Sequence, residues 1–147
     1  MKLLFFVILA LVATVYGGKD QILHPKNSDE MLDHLQGNNY NIYILFFPSV
    51  NTYEEVAREN NKELEDGLEK ILSDNPEIFF ATIDHTNPKF NQLLQTLGVH
   101  DAPSVFLMVQ GKGVWIYEGE ARLVLNRLKE FLPEYKEASS HKEDPYE

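Results

Sequence analysis

Three stretches of the sequence bring together residue types that can do chemistry. Asn51-Thr52-Tyr53-Glu54 sets an amide, a hydroxyl, a phenol and a carboxylate where an apolar strand gives way to a helix. Free N–H groups at a helix start favour an anion or an acceptor. Glu54 would satisfy them itself, with Thr52 as the cap, or leave them to a ligand. His100-Asp101 stands just before Ala102-Pro103, and a histidine paired with Glu54 could exchange protons near neutral pH. No motif sets a nucleophile beside it, and a loop histidine next to an aspartate is equally a solvated pair. Asp84-His85 with His100 matches no zinc-ligand spacing, so no metal and no cofactor are expected. The chain has no cysteine. Thiolate chemistry is thereby excluded, and other catalysis is not expected.

The charge balance narrows the partners. Thirteen Lys and Arg face 23 Asp and Glu, a net charge of −10. Nucleic acid and anionic membrane need clustered Lys and Arg, so neither is an expected partner. The acidic residues Glu54, Glu55, Glu59, Glu63, Glu65, Asp66 and Glu69 share one segment with Arg58, Lys62 and Lys70. Opposite charges three or four apart there describe a solvated helix face. Weak calcium buffering is a second way to use such a face.

Met1-Lys2, the apolar run Leu3 to Val12 and the small residues near Gly17-Gly18 have the layout of a secretory signal peptide, residues 1–17. The apolar run is short for a bilayer span. Cleavage would remove Lys2 and no acidic residue. No second long apolar segment follows, so no membrane span is expected in the mature chain. A cysteine-free secreted domain must rely on its core, because disulfides are not available. The endoplasmic reticulum lumen or the exterior is the expected location.

The remaining pattern gives the elements that must position these residues. Residues 18–27 read as an irregular lead-in. Ser28 with Met31, Leu32 and Leu35 reads as a short capped helix ended by Gly37. Tyr40 to Phe47 is nearly all apolar, as a strand buried on both faces is, and Pro48 stops it. Thr52 to Leu72 predicts a long helix burying Val56, Asn60, Leu64, Leu68 and Ile71, with Gly67 a tolerated weak point. Ile78 to Ile83 predicts a second buried strand. Asn87-Pro88 then caps a helix carrying Phe90, Leu93, Leu94 and Leu97. Ser104 to Val109 and Val114 to Tyr117 predict a hairpin turned at Gln110-Gly111-Lys112-Gly113. A last helix over 121–132 precedes Pro133, and 133–147 is expected to be a polar, disordered tail. The order implies an α/β fold with a mixed central sheet and helices on both faces, a three-layer sandwich.

Over residues 28–132 this order, with its residues, resembles the thioredoxin superfamily. The matching pieces are Phe46-Phe47, Ile83-Asp84 with Asn87-Pro88, Leu97-Gly98-Val99, Ala102-Pro103, Gly111-Lys112-Gly113 and Gly119. The resemblance implies a cis peptide before Pro103. It carries the redox motif onto Asn51-Thr52-Tyr53-Glu54, the buried acid onto Leu45 and its lysine onto Phe80, none of which can do the family's chemistry. The segments Ile78-Phe79-Phe80-Ala81-Thr82-Ile83-Asp84 and Ala102-Pro103 are also similar to the luminal thioredoxin-like domain of an oligosaccharyltransferase subunit. Non-catalytic domains of protein disulfide isomerases resemble the chain as well, and calsequestrin-type calcium buffers use acidic thioredoxin-like domains. What the resemblance implies is a redox-inactive domain that binds polypeptide, chaperone-like or in assembly. Its groove would be Val50, Asn51, Thr52, Tyr53 and Glu54 facing Asp101, Ala102 and Pro103. An oligosaccharyltransferase accessory role and low-affinity calcium binding are the alternatives. Trp115, Tyr117, Tyr40 and Tyr43 are candidate contact aromatics, with Val114–Tyr117 an expected sheet edge.

Overall fold

A computed structural model of the chain describes residues 21–37, 40–50 and 53–140. The signal peptide expected at 1–17, and Asn51 and Thr52 of the expected groove, lie outside the described residues. The elements are α1 (Ser28–Gln36), β1 (Ile42–Phe47), α2 (Glu55–Asp74), β2 (Phe79–Thr82), a 3-10 turn (Pro88–Phe90), α3 (Asn91–Leu97), β3 (Ser104–Val109), β4 (Lys112–Ile116) and α4 (Ala121–Ser140). The sheet order is β2-β1-β3-β4, with β1 parallel to β2 and antiparallel to β3, and β4 antiparallel to β3.

All six residues of β1 are buried because helices cover both sides of the sheet. Ile42, Ile44 and Phe46 join Val105, Leu107 and Val109 of β3 under α2 and α4. Tyr43, Leu45 and Phe47 join Ala81, Ile83 and Phe106 under α1 and α3. The two-residue alternation of strand side chains divides one apolar run between two cores.

Several local expectations change once neighbours are present. Ser28 is not the cap of α1: Asn27 is, its side-chain oxygen accepting from Glu30 N at 3.0 Å. Ser28 is buried instead, where its Oγ donates to Lys89 O (3.0 Å) and accepts from Leu93 N (2.9 Å), tying α1 to the start of α3. β2 is shorter than 78–83 and only partly buried, because it is the outer strand. The lead-in covers that edge: Ile22 bridges Phe80, with Leu23 N donating to Phe80 O and Phe80 N to Gln21 O, both at 2.7 Å. The Gln21 amide also donates to Leu72 O and Asn75 O at 3.0 Å, satisfying carbonyls at the end of α2.

The hairpin turn is two residues, not four. Val109 pairs with Lys112, and Gln110 (φ 41°) and Gly111 (φ 79°) both take the left-handed conformation a tight hairpin needs. β4 accordingly begins at Lys112 rather than Val114.

Gly67 lies where α2 meets α4 rather than on an open helix face. A Cβ placed there would run into the Leu125 side chain, so α2 and α4 approach each other over this residue. On an exposed helix face Gly→Ala gains about 1 kcal/mol, but overpacking costs about 1–3 kcal/mol. Gly67→Ala is therefore expected to lose about 1 kcal/mol in urea unfolding, and adding Leu125→Ala should recover much of the alanine's clash.

Helix α4 does not stop before Pro133. It continues to Ser140, because Tyr135 and Ala138 pack on the α2–α4 core beyond the proline. Ser139 Oγ donates to Tyr40 O at 2.6 Å, and the Lys136 ammonium bonds the Asn75 side chain. These contacts offset a helix-interior proline, which costs about 3 kcal/mol.

Candidate functional site

The strand register builds the candidate groove. Phe47 pairs with Ser104, so the chain leaving β1 at Pro48 runs beside the chain entering β3 from Pro103. The Ala102–Pro103 peptide bond is cis. Ser104 is fully buried, and its Oγ donates to Asp101 O at 2.8 Å, closing the loop before β3. Among the described residues no hydrogen bond takes up the backbone of Ala102.

The opposite wall is held by a residue that pattern reading passed over. Ser49 N donates to Asn61 Oδ1 (2.9 Å), and Asn61 Nδ2 donates to Ser49 O (2.7 Å). One amide in the second turn of α2 thus copies both halves of a strand pairing and clamps the segment carrying Val50. Its neighbour Asn60, expected as part of the buried stripe, instead accepts from Ala121 N at 3.3 Å and helps cap α4. The available signal was adjacent amides at half-buried helical positions, where a polar residue needs a partner. Replacing Asn61 by alanine strips two hydrogen bonds and is expected to cost about 1–3 kcal/mol. Amide exchange at Ser49 and Val50 should rise above the global unfolding rate; unchanged protection there would mean the clamp does not order the loop.

Val50, Tyr53 and Glu54 lie at the surface between β1 and α2, with Tyr53 95% exposed. Glu54 is the N-cap of α2, yet its side chain makes no capping hydrogen bond. Val56, expected in the buried stripe, is 66% exposed, and the buried positions of α2 begin only at Leu64. Val50, Tyr53 and Val56 are three of the six exposed large hydrophobic residues among those described. They fall within seven positions of the chain.

The acid–base and metal constellations are not assembled. The His100 ring meets the Asp101 carboxylate at 3.1 Å and the Trp115 ring edge-on at 4.6 Å, and no described contact joins it to Glu54. Asp84 accepts from Thr86 Oγ1 (2.7 Å) and Thr86 N (2.9 Å), and these bonds hold its carboxyl below the usual carboxylate value. Among the described residues no three His, Asp or Glu side chains converge as metal ligands, and no helix is long and apolar enough to cross a membrane.

The positions onto which the buried acid and its lysine were carried do not form one site. Leu45 packs under α1 and α3, while Phe80 packs on the α2–α4 side. Since Ile42–Phe47 is apolar throughout, no carboxylate stands on either face of β1.

Comparison with solved structures decides the fold. Thioredoxin O2 from Arabidopsis thaliana superposes with a TM-score of 0.58 at 13% identity, covering 78% of this chain and 93% of that one. Fasciola hepatica thioredoxin gives 0.56 at 15% identity, covering 78% and 97%. Thioredoxin from Trypanosoma brucei brucei gives 0.54 at 14% identity, covering 76% and 89%. This is a cysteine-free thioredoxin-like domain. At these identities the likeness speaks for the thioredoxin-like architecture alone. No protein-family model and no curated protein sequence matches the chain. Without cysteine, the thioredoxin-like frame has no nucleophile for thiol–disulfide exchange.

Proposed function

We propose that the chain is a redox-inactive thioredoxin-like protein of the secretory pathway, in the endoplasmic reticulum lumen or exported, that binds polypeptide. The binding surface is Val50, Tyr53 and Val56 with the Asp101-Ala102-Pro103 loop. The observation that carries this reading is the concentration of exposed apolar side chains at the mouth between β1 and α2. A fully exposed tyrosine offers a large apolar body with a polar tip, which suits contact with a partner. The Ala102 N–H and C=O, which no hydrogen bond among the described residues takes up, are what an extended chain would pair with. Glu54, Glu55 and Asp101 rim the surface, so segments mixing apolar and basic residues should be preferred.

The test is affinity capture with the tagged protein from luminal extract, with and without calcium. Unfolded or extended polypeptides retained regardless of calcium support the reading. Retention of a single stoichiometric membrane complex, calcium-driven self-association, or nothing at all would overturn it. The secretory half is read separately, by sequencing the N-terminus of the protein from expressing cells. A start at Gly18 supports it, and an intact Met1 in cytosol refutes it.

A further inference from the structure

The two edges of the sheet are finished differently. The β2 edge is covered by the lead-in through Ile22, whereas no described residue pairs with the outer side of β4. Edge strands are commonly guarded by proline, inward charge, bulges or shortness. β4 has five residues, Lys-Gly-Val-Trp-Ile, with its one charge at the start and no proline. The hairpin register determines which backbone groups are offered. Val109 and Lys112 close the two-residue turn, so Lys112, Val114 and Ile116 bond inward to β3. Gly113 and Trp115 turn their N–H and C=O groups outward, and Tyr117 and Glu118 follow directly after the strand, where pairing would extend it.

We infer that β4 pairs antiparallel with β4 of a second copy of this chain, centred on Trp115, to make a continuous eight-stranded sheet. Two-fold symmetry and the alternation of inward and outward groups allow few centres. Centring on Trp115 sets Trp115 opposite Trp115 of the second copy and Gly113 opposite its Tyr117. It places Val114 against Ile116, a β-branched pair, and Lys112 against Glu118. Shifting the centre to Val114 loses the charge pair, setting Lys112 against Ile116. Shifting it to Ile116 puts Val114 against Glu118. Only the Trp115 centre combines complementary ends with apolar middles. Glu118 keeps an oxygen for this contact, since Arg127 Nε engages its Oε1 at 3.2 Å. The acidic helix α2 does not oppose the approach, because α4 is the helix packed on β3 and β4. The Trp115 and Tyr117 rings already stack at 5.6 Å and 7°, and a tyrosine laid across an edge glycine covers the backbone that glycine leaves bare.

The test combines sedimentation with amide exchange on the full chain, up to about 1 mM because a single-strand edge makes a small interface. The expected result is a concentration-dependent dimer in which the Gly113 and Trp115 amides gain protection. Lys112→Glu alone sets two glutamates across the pair, and Glu118→Lys alone sets two lysines. Each should weaken association by roughly tenfold, and mixing the two variants should restore it as a heterodimer. A monomer at every concentration overturns the inference. So does a dimer that leaves Gly113 and Trp115 unprotected, or one indifferent to both charge changes. Protection of these amides by an added peptide in a chain that stays monomeric would assign the edge to a foreign strand and equally overturn self-pairing.

Discussion

Ending the chain after Leu132 is expected to lower its stability by roughly 3–5 kcal/mol. The deleted residues carry Tyr135 and Ala138 from the α2–α4 core, the Ser139–Tyr40 hydrogen bond and the Lys136 contact to Asn75. Burying most of a tyrosine side chain is worth about 1.5–3 kcal/mol, and each hydrogen bond about 1 kcal/mol more. Burial and then Glu134 push the Tyr135 phenol above its ordinary pKa, as a ring withdrawn from water requires. At about 4 °C per kcal/mol for a domain of this size, Tm should fall by about 12–20 °C. Thermal unfolding followed by circular dichroism checks this. Were 133–140 a solvated tail, the truncated chain would melt within a degree or two of the full one. Tyr135→Ala should reproduce the larger part of the loss without shortening the helix.

Replacing Tyr53 by alanine together with Val56 by serine is expected to weaken polypeptide binding by roughly 30-fold while leaving the fold intact. An aromatic anchor at the centre of an interface carries about 2 kcal/mol or more of the binding energy. Both side chains are largely exposed in the free protein, so their loss should alter stability by no more than about 0.5 kcal/mol. Titration of a fluorescent, reduced and unfolded client against the pure protein reads the first effect, and urea unfolding reads the second. Leu123→Ser serves as the control, being an exposed apolar residue on α4 away from the groove. If that substitution weakens binding as much as the groove pair does, the surface is merely sticky and the assigned groove is wrong.

The architecture was legible because its signals are local. The apolar run ending in Phe46-Phe47, the Asn87-Pro88 start and the Gly-bearing hairpin each report a dihedral preference or a periodicity. Their order alone implies a mixed sheet between helix layers. The errors share a cause. Ser28 reads as a cap and Asn60 as a stripe residue, while Asn61 fits neither pattern, yet each bonds a partner elsewhere in the chain: Lys89 and Leu93, Ala121, and Ser49. Val56 has the right spacing for a buried stripe, but spacing cannot say which turns of a helix the rest of the fold covers. Leu45 and Phe80 looked like one converted site until strand alternation set them on opposite faces.

What the residues determine without help is chemistry and alternation. No cysteine means no thiolate, and apolar β1 residues mean no buried carboxylate there. The pairing of distant segments decided the rest. The Asn61 clamp, the Gly67–Leu125 approach, the helical path through Pro133 and the pairing of Phe47 with Ser104 each join segments far apart in the chain. Such contacts are decided by packing and hydrogen-bond satisfaction between surfaces that exist only after the sheet has formed. Short-range propensity carries no record of them, because at each position it is worth less than the burial or hydrogen bond that overrides it.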